Sequence, residues 1–189
     1  MRGVILDTET TGLLPEHGHR ILELAAVEIR DAFPPAGQAI EPTGRVFYTR
    51  LDPERDSEPG ALEVHGITRE MTLGQPRFAD IADAFIEFVR GSLVIIHNAP
   101  FDVGFLDAEL ARLGPDYGRL HDHAMVLCTR SMAYERLPGI RHSLDALCLH
   151  YGIDTSHRTQ HGALTDALLL LEVYRRLIAE PEDKTEARA

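Results

Sequence analysis

The sequence predicts an α/β fold in which helices pack against a single sheet, and two observations carry that prediction. Short apolar runs bounded by turn-forming residues recur at 3–7, 21–29, 45–51, 93–97 and 124–128, the lengths expected of strands. Between and after them, apolar residues repeat at helical spacing, first as Phe78, Ile81, Ala82, Phe85, Ile86 and Val89, then as Val103, Leu106, Leu110 and Leu113. At 189 residues with 44% hydrophobic content, the chain suffices for one domain with a substantial core.

The elements follow in order. The run G-V-I-L-D at 3–7 is a strand, and 21–29 is a second. The Pro/Gly-rich stretch 33–44 reads as an exposed hairpin connection to a third strand at 45–51. The helix over 78–89 ends near Gly91, where a C-cap glycine belongs. A fourth strand, L-V-I-I-H at 93–97, precedes a helix whose start is set by Pro100 and whose end is set by Gly114-Pro115. A fifth strand lies at 124–128. Ser143 caps a short helix through 150, and a long amphipathic helix spans 163–178, with Arg175 and Arg176 complementing its negative end. The domain is expected over 1–180, and 181–189 reads as a disordered polar tail.

Composition narrows the setting. No apolar run approaches the roughly 18–20 residues of a membrane span, and the N-terminus enters a strand directly instead of a signal peptide. Cys128 and Cys148 form no C-x-x-C pair, which fits reduced thiols and a cytoplasmic protein. With 30 acidic against 19 basic residues, the net charge is −11. That excludes a long basic track for nucleic acid, whose binding rests on cationic surface. A short grip at one strand end remains compatible, since bound divalent cations would offset part of the deficit.

Three acidic signatures carry the chemistry: D-T-E-T-T-G at 7–12, H-N-A-P-F-D at 97–102 and H-G-A-L-T-D at 161–166. They supply Asp7, Glu9, Asp102, Asp166 and His161. Hard divalent cations want oxygen ligands, and two of them about 3.5–4 Å apart can stabilise both the attacking and the leaving oxygen of an in-line phosphoryl displacement. Residues two apart on a strand share a face, so Asp7 and Glu9 project into one cleft and Thr8 points away. Asp102 and Asp166 fall in the first turns of two helices, where the dipole favours the ionised form. His161 precedes the last helix as a candidate general base.

Taken singly, each feature has a plainer reading. D-x-E is common on solvated strands, Asp102 fits a capping role, and a lone histidine is commonly a surface or core residue. The combination, each part at a strand end or helix start of one sheet, is what points to a nuclease. The histidine pairs H-G-H at 17–19 and H-D-H at 121–123 raise a zinc hydrolase, but no third nitrogen ligand follows at suitable spacing. A non-catalytic binding module would be expected to lack at least one of the acids.

Beyond those three motifs, the chain carries V-H-G-I at 64–67, H-S-L-D-A-L-C at 142–148 and L-E-V-Y at 171–174. On these residues, from Gly3 to about Ile178, it resembles the DEDDh exonucleases of the RNase H-like superfamily, and within them the epsilon-type proofreading subunits of bacterial DNA polymerase III. The resemblance implies a five-stranded mixed sheet flanked by helices, two Mg²⁺ or Mn²⁺ ions, and stepwise release of 5′-mononucleotides from the 3′ end of single-stranded or frayed DNA. It implies Asp7, Glu9, Asp102 and Asp166 as metal ligands, with Asp102 acting partly through water, and His161 as the base. It places Glu9, Thr10, Thr11, Gly12, Leu13, His65, His97 and Phe101 around the terminal nucleotide, with Asp166 facing its phosphate; Phe101 has core packing as an equal alternative. Arg141 and Arg158, flanked by His142, His157 and Arg136, are candidates for upstream phosphates, the alternative being a solvated loop that neutralises the carboxylates.

The departures matter as well. Cys128 stands where relatives commonly carry aspartate, and Gly60 where the epsilon type often carries an acid. Eleven residues follow Ile178, so the long tail by which the epsilon type docks on a replicative polymerase is not expected. That leaves a catalytic domain of a polymerase subunit or a stand-alone exonuclease. The alternative within the superfamily is an RNase T-like or oligoribonuclease-like enzyme, separated by contacts to the 2′-hydroxyl.

Overall fold

The structure is a computed structural model that describes residues 1–35 and 37–180. The expected tail at 181–189 lies outside the described residues. Strands β1 (Gly3–Thr10), β2 (Ile21–Ile29), β3 (Pro42–Arg50), β4 (Leu93–Ile96) and β5 (Met125–Cys128) form one sheet in the order β3-β2-β1-β4-β5. β1 runs antiparallel to β2 and parallel to β4, β2 pairs antiparallel with β3, and β4 pairs parallel with β5. This is the expected five-stranded mixed sheet. β1 is central and continues past Asp7 to Thr10, so the first acidic motif lies within the strand instead of beyond it.

The helices are α1 (Pro59–His65), α2 (Arg69–Thr72), α3 (Phe78–Val89), α4 (Ala99–Leu113), α5 (Leu120–His123), α6 (Thr129–Arg136), α7 (Leu144–Tyr151) and α8 (Ala163–Ala179). Of these, α3, α4, α7 and α8 match the expected spans closely. Ser143 caps α7 through its Oγ, which accepts from the Ala146 N–H at 3.3 Å. The short helices α1, α2, α5 and α6 are additions to the sequence reading. β3 is an edge strand that begins earlier than expected, at Pro42, a position where a missing N–H costs nothing.

Alternation along the strands sorts two cores. Val4, Leu6, Leu24, Ala26, Val94 and Ile96 bury one face against α3 and α4. Ile5, Ala25, Val27, Ile95 and their neighbours bury the other against α8. A third cluster, with Ala133, Leu147, Cys148, Leu169 and Val173, joins α6, α7 and α8. Burying residues of this size fully contributes roughly 1.5–3 kcal/mol each, so the central strand is held from both faces. A bidentate pair from Arg20 Nε and Nη2 to Glu109 (2.7 and 2.9 Å) locks the approach to β2 onto α4. No helix among the described residues is long and apolar enough to cross a membrane.

Because β1, β4 and β5 are parallel, their C-terminal ends come out on one edge of the sheet. Ligands of open α/β sheets bind on that edge. All three acidic motifs are delivered there.

Candidate active site

Asp7 and Glu9 face the α8 side of β1. At Glu9 the register with β2 shifts, Glu9 pairing with Glu23 and Thr10 with Ile21. Such a bulge locally increases twist and re-aims side chains, and bulges are common beside active sites. From α8, Asp166 in the first turn meets them. Ligand atoms of Glu9, His161 and Asp166 all lie within 4.8 Å of one another. Asp102 comes from the opposite face, in the first turn of α4.

Thr8 is not idle, as the alternation rule suggested. It does point away from Asp7 and Glu9, but toward α4, where its backbone N–H and hydroxyl both donate to Asp102 Oδ1 at 3.1 and 2.7 Å. One oxygen of Asp102 is thereby anchored. The two sides of the central strand are stitched at the residue between the two acids.

The carboxylates strongly disfavour shared negative charge. Burial, then Asp102, Glu9 and Asp166, push Asp7 well above the usual carboxylate range. Burial, then Asp166, Glu23 and Asp102, push Glu9 up to about 8. Burial lifts Asp102 to about 7 although the Thr8 hydrogen bonds pull the other way. The expectation that the helix dipole keeps Asp102 readily ionised therefore fails in the metal-free protein: desolvation outweighs the dipole. Asp166 Oδ1 is buried without a hydrogen-bond partner among the described residues. The orphaned Asp166 oxygen, with Glu9 and His161 ligand atoms gathered beside it, is a donor set that a divalent cation would complete.

Arg158 differs from its expected role. Its side chain is only 7% exposed, and Nη2 donates to Asp166 Oδ2 at 2.5 Å while Nη1 pairs with Asp145. Nη2 also lies 2.6 Å from His161 Nδ1. Here the guanidinium is a buried counter-charge to the acids instead of an open phosphate contact. Arg136 is likewise elsewhere, its Nη1 donating to the Leu177 carbonyl near the far end of α8. Arg141 is exposed on the rim.

His161 Nδ1 is also 3.0 Å from Asp166 Oδ2. Nδ1 accepts from Arg158 in one tautomer and donates to Asp166 in the other, while Nε2 lies 3.3 Å from the same Arg158 Nη2. The His161 loop docks on the V-H-G-I segment: His161 N–H donates to the Val64 carbonyl at 3.2 Å. Gly66 lies in the left-handed region at φ 65°, and a Cβ there would meet the Gln160 amide at 2.3 Å. The left-handed backbone is what favours glycine in the motif, since the Gln160 side chain could move aside.

A cavity of about 440 Å³ opens beside the acids, lined among others by Thr10, Gly12, Leu13, His65 and Phe101. His65 Nδ1 accepts from the Ile67 N–H, burial lowers the basicity of its ring, and Nε2 has no partner among the described residues. Phe101 lines the cavity and also packs on Phe105 with ring centroids 5.0 Å apart. Gly60 lines the cavity with open space around it, so the acid typical of the epsilon type is absent there. Two expected residues are not brought to the cavity. Thr11 is fully buried, with its hydroxyl 3.1 Å from His19 Nδ1. His97 has both ring nitrogens engaged, by Thr129 Oγ1 at 3.0 Å and the His142 carbonyl at 2.9 Å, and burial pushes it down to about 4. Both act as braces. His19 also fixes Gly12, whose Cβ would meet the imidazole ring at 2.3 Å.

Sequence reasoning missed Glu23. Buried on β2 opposite Glu9, it accepts from the Tyr48 hydroxyl and from the Ala163 N–H, both at 2.8 Å. It thus caps the N-terminus of α8 and sets the position of Asp166. Its odd burial in the apolar run I-L-E-L-A-A-V-E-I was the available signal. The histidine pairs at 17–19 and 121–123 build no metal site among the described residues.

Comparison with known proteins is consistent with this geometry. The family described as Exonuclease (RNase_T) matches residues 4–174. The chain is 44% identical over 177 residues to the DNA polymerase III subunit epsilon of Escherichia coli (strain K12), covering 92% of this chain and 70% of that one. It is 45% identical over 178 residues to the subunit epsilon of Rickettsia conorii (strain ATCC VR-613 / Malish 7), covering 94% and 74%. Among solved structures, exonuclease X in complex with 5′ overhanging duplex DNA superposes with a TM-score of 0.67 at 23% identity, covering 94% of this chain and 91% of that one. A moderately thermophilic exonuclease I from Methylocaldum szegediense gives 0.73 at 21% identity, covering 97% and 41%. At those identities the structural likeness is one of fold.

Proposed function

The chain belongs to the Exonuclease (RNase_T) family, and from that premise we propose that it is a proofreading-type 3′–5′ exonuclease that releases 5′-mononucleotides from single-stranded or frayed DNA. The observation that carries the reading is the convergence of Glu9, His161 and Asp166 at the strand edge, with Asp7 and Asp102 close enough to raise the charge cost of that cluster. Similarity to subunit epsilon over 92% of the chain supports DNA as the substrate class and a replicative polymerase as partner.

Exonucleases of this family depend on divalent metal. We assign two Mg²⁺ or Mn²⁺ ions to Asp7, Glu9, Asp166 and Asp102, the last held through its free oxygen. When bound, the ions polarise the scissile phosphate and lower the pKa of the attacking water. His161 accepts that water's proton at Nε2, with Nδ1–H given to Asp166 Oδ2. For this tautomer Arg158 must withdraw from Nδ1. Thr10, Gly12, Leu13, His65 and Phe101 hold the terminal nucleotide. Thr11 and His97 brace this pocket from behind. Duplex ends enter only after losing their terminal pairing, which is easier at a mismatch, so preference for errors follows from melting without reading base identity.

The test is digestion of matched DNA and RNA single strands labelled at either end, with Mg²⁺ or Mn²⁺ present. Release of 5′-mononucleotides from the 3′ end of DNA is expected. Internal cuts, 5′-to-3′ progress or a strong preference for RNA would overturn the reading.

A further inference from the structure

α6 follows β5 directly, and β5 ends beside β4, with Cys128 in register with Ile96. The start of α6 therefore stands on the same sheet edge as the start of α4, where Asp102 lies. The two helix starts are joined by Arg130 Nη1, which donates to Asn98 Oδ1 at 3.1 Å. Asn98 itself sits in the left-handed region at φ 65°. Asparagine tolerates that conformation better than other side-chain-bearing residues, and such strain clusters at working sites.

Arg130, like exposed Arg141, differs from the arginines already paired with carboxylates. In a chain of net charge −11, Arg20, Arg50, Arg69 and Arg158 each pair with a carboxylate. Half-buried Arg130 has no ion pair among the described residues, and its Nε is buried without a partner. Its guanidinium carbon lies 6.0 Å from the ring centroid of Tyr134, one turn along the same helix. Tyr134 is 57% exposed and is backed by His142, ring centroids 4.1 Å apart. His142 in turn is fixed by its carbonyl to His97 and by Nε2 to the Leu137 carbonyl at 2.8 Å. The rigid backing keeps an aromatic surface open to solvent at a low cost in side-chain entropy. Arg141, exposed, precedes His142 on the same rim.

An uncommitted cation beside an exposed, braced aromatic ring is the chemistry that holds single-stranded nucleic acid, by base stacking and phosphate pairing without base selection. We infer that Arg130 and Tyr134 receive the nucleotide on the 5′ side of the scissile phosphate, the Tyr134 ring packing on its base and the Arg130 guanidinium facing its phosphate. This inference rests on the exonuclease reading above. It assigns to Arg130 the phosphate contact that buried Arg158 is not placed to make.

The test compares two substrates on the metal-loaded protein. The p-nitrophenyl ester of thymidine 5′-phosphate reaches only the terminal pocket and the acids, whereas a DNA strand of roughly ten nucleotides also reaches α6. Tyr134→Ala is expected to raise KM for the strand on the order of tenfold, in line with the loss of one base–aromatic stack, and to leave ester hydrolysis unchanged. Tyr134→Phe should keep the parent KM. Arg130→Ala should raise KM for the strand and flatten its dependence on log salt by ~0.7. Parent-like KM for the strand in both alanine variants overturns the inference. Equal loss on ester and strand in Arg130→Ala makes that residue part of the fold and overturns its role, while Tyr134→Ala, on an exposed side chain, still decides the stacking. A parent protein that cleaves neither substrate would instead refute the exonuclease reading.

Discussion

Thr8 and Asp102 meet across the face of the sheet opposite Asp7 and Glu9, and Thr8 spends both its N–H and its hydroxyl on one oxygen of that carboxylate. The second oxygen is thereby aimed. Thr8→Val keeps size and strand propensity but removes the hydroxyl. Activity and Mn²⁺ affinity are expected to fall about 10–100-fold, the usual loss when a residue that orients a ligand is removed. Isothermal titration with Mn²⁺ beside turnover measurements checks this, and parent-like values for both would show that Asp102 is held by packing alone.

The metal-free protein should lose stability as pH rises. Glu9 is held up at about 8 and Asp102 at about 7, above unfolded reference values of ~4.3 and ~3.9. The folded state thus binds more protons than the unfolded chain in that window, so the slope of unfolding free energy against pH is negative. For these two groups the loss begins as pH passes about 4 and runs through about 8. Melting in a chelator should give a lower Tm at pH 8 than at pH 5, and added Mg²⁺ should raise Tm more at the higher pH. A Tm that climbs steadily over that range without metal would contradict the proposed cause.

Asp7 is raised by burial and by three neighbouring acids, which makes it costly to the empty site. Asp7→Ala is expected to abolish hydrolysis while raising the Tm of the metal-free protein at pH 8. Near-normal turnover in a pure sample would sink the metal assignment.

His161→Ala separates base from ligand. A general base contributes typically 10²–10⁴-fold in rate, and the variant should lose that much in kcat with Mn²⁺ affinity retained. Collapse of the affinity would make His161 a ligand instead.

Arg158→Ala leaves buried Asp166 and its neighbours without their cation. The metal-free variant should be destabilised by up to about 3 kcal/mol, below the full cost of breaking a buried pair because the acids can take up protons. The Tm gain on adding Mn²⁺ should exceed that of the parent, since metal then replaces a missing charge. Equal metal-free stabilities would show that the guanidinium does not neutralise the acids.

The four acids and His161 were legible because their chemistry fixes residue type, and because strand ends and helix starts can be placed from periodicity and from Pro100 and Gly114. β1, β2, β4, β5 and the longer helices were legible for the same reason. The short helices α1, α2, α5 and α6 were not, since four to eight residues offer too few turns to show a period, and they lack the serine cap that revealed the equally short α7. Thr8 and Glu23 were invisible for a different cause. Their partners Asp102 and Ala163 lie 94 and 140 residues away, and only the register of β1 with β2 and the packing of α4 bring them together. For Arg158 the neutralising alternative holds, but from a buried position, because a cluster of buried acids draws the cation inward, which spacing along the chain does not show.

Glu23 on β2 holds the first turn of α8 through the Ala163 N–H, and α8 is the last helix among the described residues. Every strand of the sheet precedes it in the chain. Domains fold as units, and without α8 one whole face of the sheet would lie bare, so a chain that has not yet delivered its last helix has neither a closed core nor Asp166 and His161. Closing the core and completing the acidic edge are thus one event, the docking of α8.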